Sequence, residues 1–132
     1  MGAGLTLKAA ERVVTTCKQR AEEIGQPMCV AVADSGANLV AFVRMDGTLL
    51  AAVDVALKKA VTTVGFEMET RALTPLAQPG APLYGIQVIG ATVFGGGVPL
   101  TDGDGRLVGG VGVSGGSPEE DHDVAAAGAA AL

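Results

Sequence analysis

Two short polar clusters, Asp34-Ser35-Gly36-Ala37-Asn38 and Asp102-Gly103-Asp104-Gly105, constrain this chain more than any other feature. Each stands between two apolar runs: Met28–Ala33 and Leu39–Arg44 around the first, Val98–Thr101 and Arg106–Ser114 around the second. Asp, Asn and Gly reverse a chain within a few positions, because they tolerate left-handed backbone or bond to their own main chain. Short reversals of this kind join antiparallel neighbours, whereas parallel strands need a crossover of a dozen or more residues. A mostly antiparallel sheet is therefore expected, not a parallel dinucleotide-binding sheet.

The flanking segments read as helices. Thr6–Ile24 carries Leu7, Ala10, Val13, Val14, Cys17, Ala21 and Ile24 at three- and four-residue spacing, with charged residues between them. Thr6 can cap its start, and Gly25 and Pro27 end it. A second helix is expected over Ala51–Phe66, with Val53, Ala56, Leu57, Ala60, Val61 and Val64 inward and Lys58 outward. From Glu67 to Tyr84 the prolines and Gly80 mark a loop with at most one helical turn, and Gly85–Ile89 reads as a further strand. A last helix starts near Ser117-Pro118 and runs through Leu132. Ser117 caps it, Pro118 takes the first position, and Glu119, Glu120 and Asp121 offset its dipole. The expected fold is α+β: a five-stranded, mostly antiparallel sheet flanked by helices, in the order α-β-β-α-β-β-β-α, as a single domain over residues 1–132.

Composition narrows the function. Aromatic residues make up 3% of the 132 residues, so the core must be built from Val, Ala, Leu and Ile, which bury little area per residue. Subunit contacts would add to that burial, and a homo-oligomer is expected. The net charge of -5, with basic residues scattered among acids, argues against nucleic acid. No apolar run reaches the roughly 18–20 residues that span a bilayer, so no membrane partner is expected. The opening Met1-Gly2-Ala3-Gly4 has neither the basic region nor the apolar stretch of a signal peptide. Cys17 and Cys29 fit no zinc or CxxC spacing and read as buried, reduced thiols, so a cytoplasmic location is expected.

The residues that could carry chemistry gather late in the chain. In Gly95-Gly96-Gly97-Val98-Pro99-Leu100, successive backbone N–H groups could form an anion-binding nest, or the glycines could simply bend the chain into a strand fixed by Pro99. In VGGVGVSGG, residues 108–116, the glycines admit either a close-packed helix or subunit, or a ligand lying against the strand. The exit through Ser114 delivers the chain to a helix start, where Glu119, Glu120 and Asp121 would repel an anion close by. Ser114 has no obvious acid–histidine partner, which argues against a hydrolase triad. His122 is the only histidine, which excludes a multi-histidine metal site but not axial ligation of a haem iron; its ordinary reading is an exposed polar residue. Arg44, Asp46 and Lys59 read most simply as surface charges. Lys59, however, falls between Ala56 and Ala60 on the helical wheel, and partly buried at a cleft edge it could hold a ligand carboxylate or move a proton.

Taken together, VAVADSGANLVAFVRMDG (30–47), DVALKKAVTT (54–63), GGVPL (96–100) and VGGVGVSGGSPEEDHDVAAAG (108–128) resemble, in that order, the GlcG/HbpS family of small haem-binding-type domains. They are also similar to the C-terminal domain of PduO-type adenosyltransferases. The resemblance implies a five-stranded antiparallel sheet, a homo-oligomer (hexamer or octamer) and a small-ligand pocket near the helix and loop motifs. Haem or corrinoid-linked roles occur in some members. Arg44, Asp46, Lys59, the Gly96–Pro99 loop, Ser114 and Asp121 match the family pattern. Some haem-binding relatives place a histidine on the first helix; Thr6–Ile24 contains none, and His122 would have to substitute from another element. Two functions follow. The first is an oligomeric domain that binds haem or a related small organic ligand near the glycine loop, through Arg44, Asp46, Gly96, Gly97, Val98, Pro99, Ser114 and His122. The second is a cofactor-independent lyase, isomerase or hydrolase acting on a small organic acid in the same pocket. There Lys59 or Arg44 would hold the carboxylate, and Glu119, Asp121 or His122 would move a proton.

Overall fold

The computed structural model describes residues 4–132; Met1-Gly2-Ala3, on which most of the signal-peptide expectation falls, lie outside the described residues. Its elements are α1 (Leu7–Ile24), β1 (Cys29–Asp34), β2 (Leu39–Arg44), α2 (Ala51–Phe66), α3 (Thr70–Leu73), β3 (Gly97–Thr101), β4 (Leu107–Ser114) and α4 (Pro118–Ala129). Short 3₁₀ turns cover Pro75–Ala77 and Ile86–Ile89.

The strands form one sheet in the order β2-β1-β4-β3, every neighbouring pair antiparallel. Both reversals are built on an aspartate. The Asp34 carboxylate accepts from the Gly36 and Asn38 N–H groups, each at 2.9 Å. Asp102 accepts from Asp104 at 2.9 Å and from Arg106 at 3.0 Å. These side-chain bonds replace ladder bonds where the chain turns.

The two faces of the sheet differ in side-chain size. Val30, Val32, Val98, Val111 and Val113 stand on one face and pack against Ala10, Val13, Cys17 and Ala21 of α1 and Val124 and Ala125 of α4. The register pairs Ala31 with Gly112 and Ala33 with Gly110 on the other face, where Ala52, Ala56 and Ala60 of α2 lie. With so little side chain between them, α2 approaches β4 almost backbone to backbone. The order is α1 and α4, then the sheet, then α2.

The sheet has four strands, not the five expected. Gly85–Ile89 is no strand: Ile86–Ile89 forms a 3₁₀ turn between Gly85 and Gly90, whose φ angles of 87° and 94° bend the chain out of extended geometry at both ends. It meets no partner strand among the described residues, and Val88 and Ile89 are 91% and 72% exposed. Two further expectations shift. Val61 of α2 is exposed, its inward place being taken by Lys59, and α4 ends at Ala129. The segment between α2 and β3 is ordered around its own small core of Leu73, Ala77, Ala91 and Val93. Threonine hydroxyls pin it: Thr63 donates to the Met68 carbonyl at 2.5 Å, Thr70 to Phe94 at 2.7 Å and Thr74 to Val93 at 2.5 Å. Among the described residues no helix is long and apolar enough to cross a membrane.

Candidate functional site

Lys59 lies on the face of α2 that packs against β4, a position where a long cation fits only because neighbouring positions carry no side chain. Its stem crosses Gly112, and its end lies against Gly96, where an added β-carbon would sit 2.7 Å from Nζ and 2.9 Å from Cδ. Gly96 has φ of 130°, a conformation that L side chains rarely adopt. Lys59 Nζ donates to the Val113 carbonyl at 2.9 Å and to Asp121 Oδ2 at 2.8 Å. The second carboxylate oxygen of Asp121 accepts from the Gly116 N–H at 2.8 Å. The Phe94 ring covers the ammonium, its centroid 4.8 Å from Nζ.

The two charged side chains are 0% and 3% exposed. Burial pushes the Lys59 ammonium below its ordinary range and the Asp121 carboxyl above its own, and the contact between them opposes both shifts. Asp121 is held in the first turn of α4, where a negative charge meets the positive end of the helix dipole. That turn is fixed by a reciprocal cap: Ser117 Oγ accepts from the Glu120 N–H at 3.2 Å, and the Glu120 carboxylate accepts from the Ser117 N–H at 2.9 Å.

A cleft of about 270 Å³ adjoins this pair, lined by Arg71, Gly95, Pro118, Glu119 and His122. Gly95 packs against the first turn of α4, with room for no side chain: a β-carbon there would lie 2.6 Å from the Pro118 carbonyl. His122 is half-buried, not the exposed residue of its ordinary reading, and its Nδ1 is buried with no hydrogen-bond partner among the described residues. Burial, reinforced by the Arg71 guanidinium, holds its pKa below the usual imidazole value.

The structure thus brings Lys59, Asp121, Gly96 and Gly97 into one buried cluster and places Glu119 and His122 on the neighbouring cleft. Val98 points into the valine core and Pro99 pairs with Gly110 in the sheet. Ser114 is buried at the end of β4, opposite Cys29. Arg44 and Asp46 are exposed at the end of the edge strand β2, separated from β4 by β1, and do not line the cleft. Phe94 and Arg71 are parts of the site that the sequence reading did not single out. A large aromatic residue directly before a triple glycine was the available signal for Phe94; Arg71 sits in a segment that reads as loop. Among the described residues, no group of three or more His, Cys, Asp or Glu side chains could hold a metal ion.

The sequence profile of the haem degrading protein HbpS-like family matches residues 5–130. The chain belongs to the HbpS-like family. It is 37% identical, over 91% of its length and 86% of the relative's, to an uncharacterized 15.0 kDa protein from the dhaT-dhaS intergenic region of Citrobacter freundii. It is also 37% identical to the corrinoid adenosyltransferase PduO of the same organism, over 97% of this chain but 39% of that protein. The crystal structure of a PduOC:heme complex superposes with a TM-score of 0.93 at 35% identity, covering 98% of this chain and 95% of that one.

Proposed function

We propose that this chain is a small-ligand-binding domain of the haem-binding type, with its ligand in the cleft between the glycine loop and the first turn of α4. The observation that carries this reading is His122: the chain's one imidazole lines the cleft, half-buried there beside Arg71. The likeness to a heme complex of a relative at 35% identity supports the choice of ligand. His122 and Arg71 would hold the group, the imidazole toward its iron and the guanidinium toward its carboxylates; an iron porphyrin held there would supply a redox-active metal.

A cleft of about 270 Å³ falls below the roughly 300–1,000 Å³ that encloses a drug-sized ligand, so one chain embraces an edge of the macrocycle. A second copy would cover the rest, in keeping with a homo-oligomer, hexamer or octamer. The exposed Val88 and Ile89 support such contacts. The same reading treats residues 1–132 as one domain, and the two buried thiols, Cys17 and Cys29, support a cytoplasmic setting. The remaining residues of the expected set, Arg44, Asp46, Val98, Pro99 and Ser114, act in this reading as frame rather than as contacts.

The test is a haemin titration followed by absorbance. A saturable Soret shift is expected for the natural chain and its loss for His122→Ala; no shift with the natural chain overturns the reading.

A second reading, a cofactor-independent lyase, isomerase or hydrolase on a small organic acid, is favoured by one observation: Lys59 and Asp121 meet at 2.8 Å, with Glu119 on the adjoining cleft. It requires a path from that cleft to the buried pair.

A further inference from the structure

We propose that Phe94 is a gate over the Lys59 ammonium, and that the site behind it takes a carboxylate. This rests on the assignment of the cleft beside the glycine loop as the ligand site, and it names the ligand chemistry that the site selects.

An ammonium has three N–H groups. Two of those on Lys59 go to Val113 and Asp121; the remaining one meets no acceptor among the described residues, only the face of Phe94. A ring in this position satisfies a cation weakly, by about 0.5–2 kcal/mol. A carboxylate in its place would make a charge-assisted hydrogen bond, the stronger contact. Asp121 is not free to supply it, since its second oxygen is held by the Gly116 N–H. The ammonium is therefore one hydrogen-bond acceptor short.

Phe94 is placed to move. It is 41% exposed, so the ring has solvent on one side to turn into. Its backbone carbonyl stays anchored by Thr70, which allows the side chain to swing while the loop keeps its path. The partition between the cleft and the ammonium is bare backbone: Gly95 lines the cleft, and its neighbour Gly96 touches Nζ. On the cleft side, Arg71, whose Nε donates to Glu69 at 2.9 Å, has further N–H groups to offer an anion. Glu119, the one carboxylate among the described residues lining the cleft, disfavours a second negative charge on the ligand. A monocarboxylate, or one carboxylate arm of a larger molecule, meets these demands.

Two sources share this chemistry, a free small acid and a porphyrin propionate, and the experiment separates them. Lys59 accessibility is read first, by reductive methylation mapped by mass spectrometry. Methylation is expected to be slow in the natural chain and about tenfold faster in Phe94→Ala, as for a locally opened site. Benzoate is expected to suppress the reaction, and benzamide to leave it unchanged. Should Phe94→Ala not fold, Phe94→Leu, which keeps bulk but removes the π face, is expected to raise the rate in the same direction. Equal rates in the natural chain and the folded variant overturn the gate. Protection by benzamide equal to that by benzoate, or by neither, overturns the carboxylate site.

Haemin and haemin dimethyl ester then identify the source. Weaker binding of the ester, by about tenfold, assigns the site to a propionate. Equal binding of the two, with benzoate protection, assigns it to a free acid. Absence of any Soret shift, with gated methylation intact, removes the haem reading and leaves the gate standing.

Discussion

The backbone nitrogen of Ala60 stands 2.5 Å from where a β-carbon on Gly112 would lie, so the main chains of α2 and β4 approach closely at this point. The strand is not free to yield, because β4 is held by β1 and β3 on its two sides. Gly112→Ala is expected to destabilise the fold by about 3 kcal/mol or more, beyond ordinary overpacking. Gly65, also in α2, has open space around its missing side chain and no positive φ. Gly65→Ala is expected to stabilise by about 0.4–1 kcal/mol. Urea midpoints of the two variants should therefore move in opposite directions.

Removing one member of the buried pair leaves the other charged and unpaired. Lys59→Met is expected to cost about 3–5 kcal/mol, and Asp121→Leu a similar amount. The double variant Lys59→Met/Asp121→Leu is expected to recover most of the loss, because neither charge is then buried. A denaturant double-mutant cycle checks this, and additive losses would contradict it.

The cap of α4 positions Asp121 and is expected to matter for stability. Ser117→Ala removes the acceptor for the Glu120 N–H and should cost about 1 kcal/mol. Thermal unfolding followed by circular dichroism reads the change.

Cys17 gives an alkaline limit. Burial pushes its thiol up from 9.0 to about 12. A folded pKa above the unfolded one means that the stabilisation is complete below 9.0 and is lost progressively as pH rises toward 12. The slope contributed approaches about 1.4 kcal/mol per pH unit. Urea unfolding at about pH 8 and about pH 10 should show a steeper fall for the natural chain than for Cys17→Ala.

Elements whose signals are local were legible in the sequence. The spacing of Ala10, Val13, Cys17 and Ala21 marks the buried face of α1, and each lies fully buried. Asp34 and Asp102 mark the two reversals because an aspartate side chain can stand in for a neighbouring carbonyl. Gly85–Ile89 misled because a short apolar run looks alike in a strand and in an exposed turn; only the absence of a strand beside it decides. Lys59 was half legible. The wheel placed it among alanines, but its partner Asp121 belongs to α4, and no local pattern joins two residues so far apart in the chain. The better signal was indirect: a lysine on an alanine face, in a chain whose later strands are rich in glycine, has somewhere to go.

The central position of β1 sets the timing of folding during synthesis. Its β2 side can be filled by the hairpin as soon as that emerges, but its other side waits for β4. The valine face likewise waits for α4, which closes over α1 only after the last strand. A nascent chain that has exposed α1, the first hairpin and α2 therefore carries one open strand edge and one uncovered apolar face until β4 and α4 follow. Chaperone contact during translation should be longest over that interval, and should end abruptly when α4 emerges.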